Sequence, residues 1–334
     1  MSRFTIGIPT FNRAELLSIA IEAALSQSYP ELEIIVSDNA STDETPTVVR
    51  QFGDRVRYVR NESNIGAVAN FRKVAELATG EFFSWLQDDD CIFASFAEHA
   101  VAGLREFPGA TVYGAYAAVS NNLSSLANGW LYGPPIALDW FRSQPRTVRG
   151  DLVAPLSLAV SFAIPPVIAF RTAALKQCLS RFDADMPLFV ERTILADVAS
   201  LGEMVVDPFL AGVFRSHAKQ GYRVIQNQDP DAMRQQWLTM AKQLDSIVPN
   251  QNGEWRGDLI ELLRDATRGH KQGWIKESET WPTDIPLCRE MRAALLQKPE
   301  PTHIPLSPSG LFRASKRYAR TLISNIAEQG FRIF

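Results

Sequence analysis

Apolar and polar positions along the first third of the chain follow two periods in turn, and their order predicts a layered α/β fold. "FTIGIPT" (4 to 10) is a short apolar run rich in β-branched residues that stops at Pro9, and it reads as a first strand. "NRAELLSIAIEAALSQ" then places Leu16, Leu17, Ala20, Ile21, Ala24 and Leu25 on one helical stripe, with Asn12 and Glu15 at N-cap and N3 spacing. "LEIIVSD" (32 to 38) is apolar until its last residues, as expected of a strand covered on both faces. "STDETPTVVRQF" offers Ser41 and Glu44 as a second capping box. "VRYVR" (56 to 60), the helical "GAVANFRKVAELATG" with Gly66 at positive φ before its helix, and "EFFSWL" (81 to 86) continue the alternation. The predicted architecture is a mostly parallel sheet flanked by helices.

Right-handed crossovers put every strand-to-helix loop of such a sheet on one edge, and open parallel sheets bind ligands outside the carboxyl ends of their strands. On that edge the sequence gathers Thr10 to Arg13, Asp38 to Asp43, Asn61 to Asn64 and Asp88 to Asp90. From 120 to 160 the chain turns irregular, with "SNNLSSLANGW" and "YGPP", which predicts a loop insertion on the same edge. "FAIPPVIAFRTAALKQCL" and "VERTILADVASLGEMVVDPFLAGVFRSH" read as strand, helix, helix and strand, and complete a sheet domain near residue 220. "DAMRQQWLTMAKQLDSIV", "EWRGDLIELLRDATRGH" and "LCREMRAALLQ" are all helix-like. The expected organisation is therefore a sheet domain over 1–220 and a helical C-terminal region over 221–334.

Composition narrows the classes. The 334 residues are 46% apolar and 21% charged, in the soluble globular range. A net charge of -3 gives no global attraction to nucleic acid, and none is expected as a partner. Cys91, Cys178 and Cys288 form no CxxC pair, so neither a disulfide framework nor a zinc site is indicated and a reducing compartment fits. "MSRFTIGIPTFNR" has no apolar leader core and no later run is long enough to span a bilayer, so a cytoplasmic location is expected.

The candidate chemistry lies at the ends of the strands. "FFSWLQDDD" (82 to 90) runs a buried strand into Asp88, Asp89 and Asp90, carboxylates that repel one another. A hard cation such as Mg²⁺ or Mn²⁺, held by one or two of them, compensates that repulsion and keeps coordination positions open for phosphate oxygens. A solvated acidic turn is the plain reading of the triplet in isolation. Asp38 suits an imide N–H of a pyrimidine base or ribose hydroxyls, or else an Asx turn. "PTFNR" and "NESNIG" read equally as a turn with an N-cap and as a loop.

Taken together, "IPTFNR", "IIVSDNASTDET", "NIGAVANF" and "GEFFSWLQDDD", in that order and spacing, resemble the nucleotide-binding half of family 2 glycosyltransferases of the GT-A fold. The similarity is to bacterial enzymes of the abequosyltransferase type, which build surface polysaccharides. It covers residues 1 to 115 and fades through 220. The resemblance implies a Rossmann-like GT-A sheet and an inverting, metal-dependent transfer of a sugar from a nucleotide-diphosphate donor to a glycan or lipid-linked acceptor. It implies that Pro9, Thr10, Asn12, Arg13 and Asn64 line the nucleotide pocket and that Asp38 contacts the base. Asp88 then touches the ribose or a metal-bound water, and Asp89 and Asp90 bind Mg²⁺ or Mn²⁺ at the diphosphate. Many relatives read D-x-D-D where this chain has Gln87 first, so the metal register among the three aspartates stays open.

The family's general base stands about eleven residues before a glycine at a helix start, which implies Glu191 ahead of Gly202, with Asp185 and Asp197 as substitutes. A carboxylate stabilised by the helix dipole is the plain alternative. "AGVFRSHAKQG" resembles the segment that supplies a metal or diphosphate ligand, here His217, with Arg215 as a phosphate contact; a packed or solvated histidine is the alternative. The last segment, 309–334, carries five basic residues against one acidic with an apolar side. It fits a helix lying peripherally on the inner face of the membrane, packing on the catalytic domain, or making an oligomer contact. A nucleotidyltransferase is disfavoured because "PTFNRAE" has no glycine-rich basic loop. A catalytically inactive sugar-nucleotide-binding or scaffold protein is the other reading, kept by Gln87 and by a single acid at 190 to 191.

Overall fold

A computed structural model describes residues 2–120, 130–132, 145–159, 166–182, 189–215, 229–248, 278 and 280–296. In chain order its first elements are β1 (Phe4–Thr10), α1 (Ala14–Leu25), β2 (Leu32–Asp38), α2 (Thr45–Arg50), β3 (Arg57–Arg60), α3 (Ala67–Leu77) and β4 (Phe82–Trp85). Then come β5 (Cys91–Ile92), α4 (Phe96–Glu106), β6 (Ala110–Ser120), β7 (Trp130–Tyr132), β8 (Arg146–Arg149) and α5 (Gly150–Ala159). After these follow β9 (Ile168–Arg171), α6 (Thr172–Cys178), α7 (Val190–Ala199) and β10 (Glu203–Arg215), and further helices occupy Pro230–Ile247 and Pro286–Leu296.

Among the described residues all ten strands belong to one sheet, in the order β3-β2-β1-β4-β9-β6-β10-β5, with β7 beside β6 and β8 beside β10. β1 is parallel to β2 and β4, β2 to β3, and β6 to β10. β9 runs antiparallel to both β4 and β6, so β4 and β6 point the same way. The carboxyl ends of β1, β2, β3, β4, β6 and β10 therefore share one edge, the edge at which the polar clusters gather.

The two faces of the sheet carry separate cores. Phe4, Ile6 and Ile8 pack with Leu17, Ile21, Phe96 and Leu104 of α1 and α4 on one side. On the other, Phe83, Trp85 and Phe170 pack with α3, α5, α6 and α7. Gly7 of β1 faces that second layer, where a Cβ would come within 2.9 Å of Phe83 and Val74. Met240, Ala241, Leu244, Leu287 and Met291 of the last two helices join the same layer as Ile194 and Leu195 of α7. Burying each such side chain is worth about 1.5–3 kcal/mol.

The strand and helix predictions over 4 to 86 match the observed elements to within a few residues, and Gly66 has φ +87° ahead of α3. Neither capping box forms. Arg13, not Asn12, stands at the N-cap of α1, and Glu44 at that of α2, and neither makes a side-chain capping bond. Asn12 is left-handed at φ +51°, and its N–H donates to Ser41 Oγ (2.9 Å). The two would-be caps thus bond to each other across the sheet edge. The 120 to 160 segment is not wholly a loop: β7 pairs with β6, β8 with β10, and α5 packs on α7. The helix-like stretch at 254–270 and the basic segment at 309–334 lie outside the described residues. Among the described residues, no helix is long and apolar enough to cross a membrane.

Candidate functional site

β4 ends at Trp85, Leu86 still bonds to Gly7 (3.0 Å), and a tight turn follows in which Asp90 N–H donates to Gln87 O (3.1 Å). This turn separates the three aspartates. Asp88 points back to β1, where Thr10 Oγ1 donates to its Oδ2 (2.8 Å). Asp89 meets the N-cap of α1, with Arg13 Nη1 at 2.5 Å; the same nitrogen is 3.9 Å from Asp88. Asp90 turns toward β10 and accepts the Arg215 N–H at Oδ1 (2.8 Å). One tripeptide thereby ties together three elements of the binding edge.

The electrostatics follow from that packing. Burial first, and the Asp89 charge second, push the Asp88 carboxyl up to about 7, against Arg13, Thr10 and the Phe11 N–H. Burial and Asp89 likewise hold Asp90 well above the usual carboxylate range, against the N–H and charge of Arg215. Asp90 is fully buried, and its Oδ2 has no hydrogen-bond partner, nor does Gln87 Oε1 beside it. A buried carboxylate oxygen without a donor is costly. Gln87, at the head of the turn, keeps a fourth negative charge out of it.

Asp38 ends β2 fully buried, with both oxygens engaged. Ser41 N–H donates to Oδ1 (2.9 Å), Tyr58 hydroxyl to Oδ2 (2.5 Å), and Arg60 Nε lies 3.4 Å from Oδ2. Burial and the bond to Asp38 push the Tyr58 hydroxyl upward. The loop after β2 is clamped to the start of α1: Asn12 Oδ1 accepts Thr42 N–H (2.8 Å), and Asp43 Oδ2 accepts Ala14 N–H (3.1 Å). Pro9 and Thr10 are buried at the end of β1.

Asn64 belongs to a ladder of amides at the ends of β2 and β3. Asn39 Nδ2 donates to Asn64 Oδ1 (2.8 Å), Asn61 Nδ2 to Asn39 Oδ1 (3.0 Å) and Lys73 Nζ to Asn61 Oδ1 (2.5 Å). Asn70 joins β2 by accepting from Ser37 Oγ (2.7 Å) and donating to its carbonyl (2.9 Å). Tyr58, Arg60 and Lys73 were not anticipated as parts of this edge. The signal was present in "VRYVR": Tyr58 and Arg60 are two apart on one face of β3, and Arg60 is in register with Asp38.

Glu191 lies in the first turn of α7, partly buried, and burial pushes its carboxyl up to about 7, against its own N–H and Arg192. The direction of α7 follows from its C-terminal contacts. Thr111 Oγ1, at the start of β6, donates to Val198 O (2.7 Å), and a Cβ on Gly202 would come within 2.4 Å of Gly109 O. The helix thus ends at the amino edge of the sheet, and its first turn lies away from that edge. Asp197 is at the opposite end of the helix, paired with Arg181 and accepting from Gln243 Nε2 (3.2 Å). Both of its carboxylate oxygens are thereby engaged, by Arg181 and Gln243. Asp185 and His217 lie outside the described residues.

Among the described residues, no group of three or more His, Cys, Asp or Glu side chains has metal-holding geometry. Two adjacent carboxylates with one orphaned oxygen do suit an oxygen-loving divalent ion that takes its remaining ligands from phosphate and water. The residues present therefore fit such an ion as part of a shared protein and ligand shell.

The sequence pattern of the glycosyl transferase family 2 matches residues 5–179, just over half of the chain. A Campylobacter jejuni protein, GalNAc(5)-diNAcBac-PP-undecaprenol beta-1,3-glucosyltransferase, is 39% identical over 94 residues, which cover 27% of this chain and 30% of that one. Escherichia coli WfgD, a UDP-Glc:alpha-D-GlcNAc-diphosphoundecaprenol beta-1,3-glucosyltransferase, is 29% identical over 119 residues, 35% of this chain and 47% of that one. The matches span less than half the length of these curated relatives. Among solved structures, residues 1–349 of S. aureus TarS superpose with a TM-score of 0.60 at 14% identity, covering 96% of this chain and 91% of that one. The Pyrobaculum calidifontis mannosyltransferase PcManGT, in complex with GDP-Man and Mn2+, gives 0.50 at 18% identity over 88% and 85%. The likeness shows that the sheet and its helices form the GT-A fold that the strand-end motifs implied. By the length and position of the family match, this chain belongs to glycosyl transferase family 2.

Proposed function

We propose that this protein is an inverting glycosyltransferase that moves a sugar from a nucleoside-diphosphate donor to a hydroxyl of a lipid-linked or polymeric glycan. The observation that carries this reading is the fan of Asp88, Asp89 and Asp90 at the edge where β1, β4 and β10 end, with one buried carboxylate oxygen left without a donor. Thr10, Asn12, Arg13 and the clamped loop after Asp38 form the nucleotide side of the pocket. Asp38 shapes that side through Ser41 and Tyr58 and presents it to the base. Asp89 and Asp90 would hold Mg²⁺ or Mn²⁺, a Lewis acid that neutralises charge on the departing diphosphate.

Glu191 takes the acceptor proton in this reading. Its raised value of about 7 suits a base that works near neutral pH, because it accepts a proton well yet is about half ionised there. Attack from the face opposite the diphosphate then inverts the anomeric carbon through an oxocarbenium-like transition state. Support for the acceptor class comes from the C. jejuni and E. coli relatives, whose names place their substrates on undecaprenol diphosphate. A uridine nucleotide is the first donor to try, because TarS has been solved in complex with UDP and with UDP-GlcNAc.

The test is a thermal-shift screen of nucleoside diphosphates and their sugars with and without Mn²⁺, followed by product mass measurement with the hits. A ligand that binds the native state raises the melting temperature by mass action, by an amount set by its concentration over Kd. At least one nucleoside diphosphate is expected to do so, more strongly with Mn²⁺. If none shifts the melt, the transferase reading fails and a scaffold role takes its place.

A further inference from the structure

We propose that Arg13 is an internal counter-ion that occupies the metal-binding carboxylate of Asp89 and has to release it before a divalent cation binds. The inference rests on the assignment of Asp89 and Asp90 as metal carboxylates, and goes beyond it by naming what the cation competes with. Arg13 Nη1 lies 2.5 Å from Asp89 Oδ2 and 3.9 Å from Asp88 Oδ1. The pair is largely sheltered, with the two side chains at 26% and 11% exposure, so water screens it weakly.

The position of Arg13 is fixed from both sides. Asn12, left-handed at φ +51°, is bonded to Ser41 and Thr42, and Ala14 N–H is held by Asp43. The residue between these anchors is the N-cap of α1, and its guanidinium is aimed at the turn without any side-chain capping bond of its own. Such a preset cation costs little entropy to keep in place. Even with all three carboxylates ionised, the charges of Arg13 and Arg215 leave the turn a single negative charge. A divalent cation added while Arg13 stays would make the turn net positive. Arrival of a diphosphate reverses that balance, giving the cation oxygen ligands and the guanidinium an anionic partner. Metal and donor binding are thereby coupled, and by linkage each strengthens the other to the same degree.

The experiment titrates the full-length chain with Mn²⁺ and follows free Mn²⁺ by electron paramagnetic resonance, without nucleotide and then with UDP. Arg13→Gln is expected to bind Mn²⁺ alone about tenfold more tightly than the native chain, and to show a smaller gain on adding UDP. Arg13→Lys, which keeps the charge and loses the fork, is expected to fall between them. Asp89→Asn should weaken Mn²⁺ binding in every background. Unchanged or weaker Mn²⁺ affinity in Arg13→Gln, with Asp89→Asn still weakening it, overturns the counter-ion role and leaves the metal assignment standing. Absence of Mn²⁺ binding in both native and Arg13→Gln chains, with UDP present, overturns both. Should Arg13→Gln not fold, a crystal structure of the native chain with Mn²⁺ and UDP decides. Arg13 withdrawn from Asp89 supports the proposal, and the intact 2.5 Å pair beside a bound ion overturns it.

Discussion

Adjacent carboxylates that share a buried turn raise one another's proton affinity, and the 87–90 turn limits that cost by sending each aspartate to a different element. Glu191 follows the same physics without a carboxylate neighbour, since burial alone lifts it to about 7 from an ordinary 4.5. The native state therefore holds a proton that the unfolded chain has lost between those values, and this group's contribution to stability falls as pH rises through that window. Glu191→Gln is expected to flatten this part of the melting-temperature profile and to abolish transfer, while donor affinity is unchanged. Melts across the window, kinetics and donor titration check it, and an unaltered slope would remove the buried-acid explanation. In the active native enzyme kcat/KM is expected to drop as pH falls below about 7, when the base becomes protonated. Tyr58→Phe removes a 2.5 Å hydrogen bond to buried Asp38 and is expected to cost about 1–2 kcal/mol in a denaturant melt. Because Asp38 holds the loop through Ser41, the same change should raise donor KM more than it lowers kcat.

Elements announce themselves when one period dominates. β1, α1, β2, α3 and β4 were legible because strand runs and the helical stripe of Leu17, Ala20, Ile21 and Ala24 fall where the two cores need them. The caps were not legible. A hydroxyl or amide three residues before an acid is only a local pattern, and Asn12 and Ser41 found partners across the sheet edge, a contact that sequence spacing does not encode. β8 and α5 were hidden in a stretch whose turn-rich start, at 121 to 135, masked the regular segment behind it. The spacing of Glu191 to Gly202, taken from family resemblance, now has a physical reason. α7 must end where β10 starts beside Gly109, and a Cβ at 202 would press on the Gly109 carbonyl at 2.4 Å. Gly202→Ala is expected to cost about 2 kcal/mol or more, since the starts of β6 and β10 must part. It should also lower kcat by shifting the first turn of α7. A chemical denaturation curve matching the native one would show that the strand starts absorb the methyl without strain.

The whole molecule is where sequence order and structure part most. The last strand pattern and the helix-like segments after it divide the chain near 220, and the helices at Pro230–Ile247 and Pro286–Leu296 share a core with α5 and α7. Met240, Ala241, Leu244, Trp281, Ile285, Leu287 and Met291 are all buried in that layer, against Leu156, Ile194 and Leu195. Long-range packing of this kind leaves no local trace, because an apolar helix stripe does not say which surface it meets. The energetic consequence is large. Several side chains at about 1.5–3 kcal/mol each exceed a typical net stability of about 5–15 kcal/mol. A chain ending at 220 is therefore expected to expose the outer faces of α5 and α7, to aggregate on expression or to melt with low cooperativity, and to lose transfer activity as α7 and Glu191 shift. Calorimetry of the 1–220 and full-length chains distinguishes the cases: a single cooperative transition of 1–220 at the full-length temperature would mean that the sheet domain folds alone and that the terminal helices only decorate it.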